Sequence, residues 1–250
     1  MDALPALRIV DALGIYGESS DPVYPEKNLL PIWASRFDLH LEVLRPWPES
    51  AVAGQTDVVE ILFAEPGGEF KQVDQRSLEG LITFPLKLEL DNQHLVEGES
   101  RIFFRVRTHN QNVYESEPAA FTIDKRIPLD KRPPTPIVDE PLYDGPGVTE
   151  GYLKANCDVV KVRIPGYLGY KNGDRVSILF GPLNPPPVAE ALIDVRASET
   201  VVALPRYVFE SLKNGVYLLH YRLESRAGAQ TELSTGKFIR VNFPPRESDT

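Results

Sequence analysis

The run Asp57-Val58-Val59-Glu60-Ile61-Leu62-Phe63 returns 117 positions later as Asp174-Arg175-Val176-Ser177-Ile178-Leu179-Phe180. A repeat of that length limits the fold more than any single motif does, because each copy must close a core of its own. The same offset of 117 links Gly98 to Gly215 and Phe104-Arg105-Val106 to Tyr221-Arg222-Leu223. Further matches join Ile9-Val10-Asp11 to Ile137-Val138-Asp139 and Val43-Leu44-Arg45-Pro46-Trp47 to Val162-Arg163-Ile164-Pro165-Gly166. Pro85 aligns with Pro205, and Phe121-Thr122-Ile123 with Phe238-Ile239-Arg240-Val241. Seven matches in one order at a nearly constant offset point to two copies of one domain. The offset is larger at the start, 128 at Ile9, so the first copy holds about ten extra residues within 15–35. That insertion contains Tyr16, Glu18, Asp21, Tyr24, Glu26 and Trp33, with Asp38 just after it.

Within each copy the apolar residues alternate as they do in strands. Phe37-Asp38-Leu39-His40-Leu41-Glu42-Val43 and Val160-Lys161-Val162-Arg163-Ile164 place every second side chain on one face, as a half-buried strand requires. Val58–Phe63 and Val176–Phe180 are short, rich in β-branched residues and bounded by Gly or Pro. The longest candidate strands, 101–107 and 216–223, each run into a polar turn and then a closing strand, a hairpin signature. About seven such runs per copy predict an all-β fold of two tandem immunoglobulin-like β-sandwiches, with a jelly roll as the main alternative. The 23 prolines suit a chain of turns and strand ends. The one weak helical stripe lies at 187–195, and 206–213 has room for a single helical turn.

Four prolines crowd the junction Pro128 to Pro136, which makes a stiff, extended, Pro-rich linker. The expected organisation is a first sandwich over 1–126 with its insertion near 15–35, a linker over 127–136, a second sandwich over 137–245 and a tail over 246–250.

The run Val162-Arg163-Ile164-Pro165-Gly166-Tyr167, followed by Lys171-Asn172-Gly173-Asp174-Arg175-Val176, resembles the strand–loop–strand core of bacterial Ig-like repeat modules in large surface and adhesin-type proteins. The later run Leu212-Lys213-Asn214-Gly215-Val216-Tyr217, leading to Tyr221-Arg222-Leu223, is similar to the same modules. The first copy departs at Pro46-Trp47-Pro48, where Gly-Tyr is lost. The resemblance implies binding or spacing and carries over no catalytic residue.

Charge narrows the partners. Residues 1–126 hold 21 Asp+Glu against 12 Lys+Arg, and 127–250 hold 15 of each, so the whole net charge of −9 sits in the first half. An acidic first half argues against nucleic acid and anionic membrane as partners. No apolar run approaches the ~18 residues of a membrane span, and the N-terminus lacks a basic n-region with an apolar h-region. The expected location is the cytoplasm, or export without an N-terminal signal peptide.

Chemistry is sparse. The single cysteine, Cys157, precludes an intrachain disulfide and reads as a small buried hydrophobe. His40, His94, His109 and His220 show no metal-ligand spacing, and His40 and His220 fall inside predicted strands. No nucleophile elbow or phosphate loop stands in the context it needs, so neither enzyme activity nor a cofactor or metal is expected. The binding candidates are loop aromatics: Trp47 after the first copy's strand, and Tyr167 and Tyr170 in the matching loop of the second. Rings there could stack on sugars or anchor a protein, or they could cap the end of the sandwich core. The expected function is a non-catalytic binding or spacer protein, adhesin-like or toxin-associated, whose partner is a protein or a glycan. The alternatives are a cytoplasmic partner-binding protein of chaperone or inhibitor type and a carbohydrate-active or carbohydrate-binding protein.

Overall fold

The computed structural model describes residues 3–13, 24, 26–182 and 185–243. The chain forms two compact units, 1–125 and 126–250. Much of the insertion expected near 15–35, and the tail at 246–250, lies outside the described residues.

In the first unit the strands are β1 (Arg8–Ile9), β2 (Leu29–Leu30), β3 (Leu39–Val43), β4 (Thr56–Ala64), β5 (Lys71–Glu79), β6 (Leu86–Leu90), β7 (Gly98–Arg107), β8 (Val113–Glu115) and β9 (Ala119–Ile123). They form a three-stranded sheet in the order β1-β3-β6 and a larger one in the order β2-β9-β7-β4-β5, with β8 also on β7. Leu39, Leu41, Leu88 and Leu90 from the small sheet and Ile61, Phe63, Ile102, Phe104 and Phe121 from the large one fill a single buried cluster. The alternation read along 37–43 thus marks a true inward face from Leu39 onward, whereas Phe37, read on the same face, precedes β3 and is exposed. Along β4 the alternation fails, since both faces are buried from Val59 to Ala64, and on the neighbouring β7 Phe103 is covered too. Phe70 packs edge-on to Phe103 at 4.8 Å, and the Arg101 guanidinium lies over Phe70 at 5.0 Å.

The second unit repeats this plan with β10 (Val159–Pro165), β11 (Arg175–Gly181), β12 (Pro187–Leu192), β13 (Glu199–Pro205), β14 (Gly215–Glu224) and β15 (Lys237–Val241). β10 pairs with β13, and the larger sheet runs β12-β11-β14-β15. Its core holds Val160, Val162, Ile178, Phe180, Val202, Leu204, Leu219, Tyr221 and Ile239. In both units the strand after the central one (β5, β12) pairs with it in the same sheet, whereas a constant-type immunoglobulin domain puts its fourth strand in the opposite sheet.

The repeat extends to single hydrogen bonds. Ser116 Oγ accepts from Phe104 N at 3.1 Å, and Ser234 Oγ from Tyr221 N at 3.0 Å. The hairpin turn closes by Thr108 N to Asn112 O (2.9 Å) in one copy and Ser225 N to Ala229 O (2.8 Å) in the other. At the left-handed position of that turn stand Gln111 (φ 68°) and Gly228 (φ 92°).

Three expectations change. Pro85 and Pro205 are not equivalent: Pro85 precedes β6, while Pro205 ends β13, because the buried pairs Leu88/Leu90 and Val202/Leu204 set the register. The stripe at 187–195 is a strand, since Ala189 and Ala191 pair with Ile178 and Val176. A six-residue helix α1 (Glu150–Ala155), unforeseen in the sequence, starts where Thr149 caps Tyr152 N with its hydroxyl. The single turn expected at 206–213 is the helix α2 (Arg206–Glu210).

The proline-rich run is tied to the second unit. Leu129 packs on its core, Arg132 Nε donates to Leu233 O at 3.1 Å, and Pro133 O accepts from Thr235 N at 2.9 Å.

Candidate functional site

The loop aromatics surround buried carboxylates. Asp57 and Asp174 occupy the same position of the repeat, each at the entrance to the central strand and each fully buried. A buried carboxylate must be met by donors. Asp57 Oδ2 accepts from the Trp47 indole Nε1 and from Ala51 N, both at 2.8 Å, and Oδ1 accepts from His109 N at 2.8 Å. Burial pushes the Asp57 carboxyl up, but the bonds from Trp47, Ala51 and His109 together outweigh it and hold the group below its usual value. Asp174 takes Arg126 on both oxygens (2.8 and 3.2 Å), and its Oδ2 also accepts from the Tyr167 hydroxyl (3.0 Å) and Lys171 N (3.1 Å). Burial, and then the Asp174 charge, push the Tyr167 phenol well above its ordinary range.

This geometry corrects the expectation for Trp47. It is 2% exposed, edge-on to Phe84 at 5.3 Å and tilted against Phe104 at 6.5 Å, so it has no free ring face to offer a ligand. Tyr167 and Tyr170 are half-buried with ring centroids 5.5 Å apart, and the Tyr170 hydroxyl donates to Val195 O at 3.3 Å. Their hydroxyls serve the loop.

Cys157 is likewise corrected: it is exposed, at φ 54° in the turn after α1, and is not a buried hydrophobe. His40 and His220 do lie in strands, β3 and β14. His220 Nδ1 is 2.9 Å from Ser234 O, and a carbonyl only accepts, so that nitrogen carries the proton. Among the described residues no group of His, Cys, Asp and Glu could hold a metal ion, and no helix is long and apolar enough to cross a membrane.

The opening that combines exposed rings with charge lies on the first unit. A groove of about 320 Å³ is lined by Asp11, Trp33, Ala34, Phe37, Asp38, His40 and Glu89. Its aromatic wall comes from a 3₁₀ turn, Ala34–Arg36, in which Ala34 is turned into the core. Ala34 N donates to Pro31 O (2.9 Å) and Ser35 Oγ to Ile32 O (2.8 Å), so the turn is pinned from behind. Inserting Ala34 turns the flanking rings out: Trp33 is 54% and Phe37 61% exposed. The floor is the outer face of β3 and β6, where His40 stands directly opposite Glu89. Asp11 Oδ2 accepts from His40 N (3.1 Å) and lies 3.0 Å from His40 Nδ1. Asp38 Oδ1 accepts from Asn92 N at 3.0 Å. A second depression of about 260 Å³ continues from the first, sharing Asp38 and Glu89 and adding Asp74, Arg76, Asp91 and His94.

Trp33 and Phe37 were not singled out as site residues in the sequence. The available signal was that Trp33 lies in the segment the second copy lacks. That segment also covers a sheet edge, since β2 pairs in parallel with β9.

No family model matches the chain, and no curated protein does. Solved structures similar to it include fibronectin(III)-like modules of Clostridium thermocellum CbhA, with 10% identity, 83% of this chain and 86% of theirs covered, and a TM-score of 0.46. A bacterial 1.5-MDa ice-binding adhesin is 11% identical, with 98% of this chain and 67% of that one covered (TM-score 0.38). A tetra-tandem repeat from the extending region of a large adhesion protein is 12% identical, and this chain covers 94% of itself and 48% of that structure (TM-score 0.32). These neighbours are fibronectin-III-like modules and adhesin repeats, the class the sequence resembles; at such identities the likeness is one of fold.

Proposed function

We propose that the protein is a non-catalytic binding protein in which the first sandwich unit presents the binding surface and the second acts as scaffold. The supporting observation is the groove of Trp33 and Phe37. Two large rings remain more than half exposed on a pinned turn, beside carboxylates that each have an oxygen outside the contacts made among the described residues. Exposed aromatics on a rigid support bury much apolar area on contact and lose little side-chain freedom in doing so. The other polar groups that could suggest chemistry are spent internally, Asp57 and Asp174 foremost.

The experiment is a ligand screen on the ¹⁵N-labelled full chain, with neutral oligosaccharides and with acidic, basic and apolar peptides. The Trp33 and Trp47 indole N–H resonances are the reporters. The reading expects at least one class to move Trp33 saturably and leave Trp47 in place. Saturable shifts at Tyr167 and Tyr170 instead would transfer the binding role to the second unit. A screen that moves none of these rings would leave the spacer reading.

A further inference from the structure

The groove that carries the proposed function also indicates its occupant, and this inference rests on that reading. We propose that the Trp33–Phe37 groove binds a protein segment through its arginine or lysine side chains. The ring faces carry negative electrostatic potential and attract a cation within about 6 Å. The carboxylates around them are only partly used. Both bonds at Asp11 fall on Oδ2 and the bond at Asp38 on Oδ1. Glu89 meets Arg76 only at 3.9 Å, through Oε2. Oδ1 of Asp11, Oδ2 of Asp38 and Oε1 of Glu89 thus stand outside those contacts.

Of the basic side chains lining the two openings, Arg76 is held closer by Asp74, at 3.1 Å, than by Glu89, and His40 contacts Asp11; Arg36, in the turn between the two rings, lines neither opening. The adjoining depression shares Asp38 and Glu89 and adds Asp91, so a segment with two basic residues can place one in each. The first half of the chain, with its −9, draws such a segment in from a distance. A neutral sugar could stack on the same rings, but it would gain nothing from the three carboxylates as charges.

The test uses the intact chain, ¹⁵N-labelled, with hexa-arginine as the probe. Hexa-citrulline, of the same length and nearly the same shape but uncharged, and cellohexaose are the comparisons. Hexa-arginine is expected to move the Trp33 indole N–H and the amides of 37–40 and 89–91 saturably, and hexa-citrulline is expected not to. Trp33→Ala should weaken binding roughly fivefold, and Glu89→Gln roughly threefold. Both are exposed positions at which the fold is retained, and unchanged spectra elsewhere verify this. Raising salt from 50 to 300 mM should weaken binding further.

Equal binding of hexa-citrulline overturns the inference. So does hexa-arginine binding that neither substitution changes, which would mean diffuse attraction to an acidic surface. Cellohexaose shifting Trp33 while hexa-arginine does not defeats the inference but keeps the binding function. If no probe, here or in the wider screen, moves Trp33, both fall.

Discussion

The two copies solve one problem, a buried aspartate at the entrance to the central strand, in different ways. The first copy surrounds Asp57 with an indole N–H and backbone N–H groups, and His109 Nδ1 stands 3.4 Å away. The second brings in a full opposite charge, with Arg126 forked across both oxygens of Asp174 and Tyr167 and Lys171 completing the shell. What the fold retains is therefore an acceptor at this position that ties the neighbouring loops to the sheet; the donors are interchangeable. The same comparison explains why the loop aromatics differ. Trp47 and Tyr167 both present a polar hydrogen to the carboxylate, and each ring takes the space its copy leaves.

The largest expected effect tests whether Trp47 is a structural donor. Trp47→Ala should destabilise the first unit by about 3–5 kcal/mol, through the cavity and the lost bond to Asp57. Both tryptophans of the chain lie in the first unit, so in Trp33→Ala and Trp33→Phe backgrounds the remaining emission reports Trp47 directly. Urea titration of wild type and Trp47→Ala, followed by circular dichroism, gives the comparison. A loss below about 1 kcal/mol for Trp47→Ala would mean that the first copy does not depend on this donor.

Next, Arg126→Ala should cost the second unit about 2–4 kcal/mol, the full penalty for an orphaned buried charge being reduced because Arg126 keeps some solvent contact. Hydrogen exchange at β14 amides measures it. If the first unit is destabilised equally, the division of the two aspartates between two units is wrong.

Acid sharpens the contrast on the side of Asp57. Its carboxyl lies below the ordinary aspartate value of 3.8 in the folded state, so the folded form holds its proton less tightly than the unfolded one. That stabilisation is complete above about pH 4 and is lost as pH falls through the lower folded value. The midpoint of first-unit unfolding should drop on acidification below pH 4, and Asp57→Asn, less stable at neutral pH, should lack that portion of the drop.

Two smaller effects close the series. Gly228→Gln should cost about 1 kcal/mol, since the left-handed turn position that Gln111 tolerates in the first copy is strained for any side chain; thermal unfolding measures it. Trp33→Ala should change stability by no more than about 0.5 kcal/mol, as expected of an exposed ring, in contrast to Trp47→Ala.

Much of the fold was legible because strands advertise themselves by alternation. Leu39-His40-Leu41 and Val160-Lys161-Val162 each state which face is inside, and the return of Asp57–Phe63 at Asp174–Phe180 states that the arrangement occurs twice. β5 was not legible, because a sheet-edge strand such as Lys71–Glu79 has little apolar content to repeat. Pro85 and Pro205 misled because proline marks either end of a strand equally well. The site was less legible still. A tryptophan flanked by prolines gives no sign of whether its face or its N–H is in use, and Asp57 and Asp174 looked like markers of the repeat rather than its fastenings.

The sequence by itself determined that this is an all-β chain, built twice, with its excess negative charge in the first half. Periodicity, repetition and composition are local properties, and they survive without coordinates. Tertiary structure alone decided that Trp47 is inside and Trp33 outside. Burial depends on which donors a distant carboxylate needs and on how a three-residue turn directs its neighbours: Asp57 draws Trp47 inward, and the inserted Ala34 leaves Trp33 and Phe37 facing the carboxylates of β6 and its flanking loops.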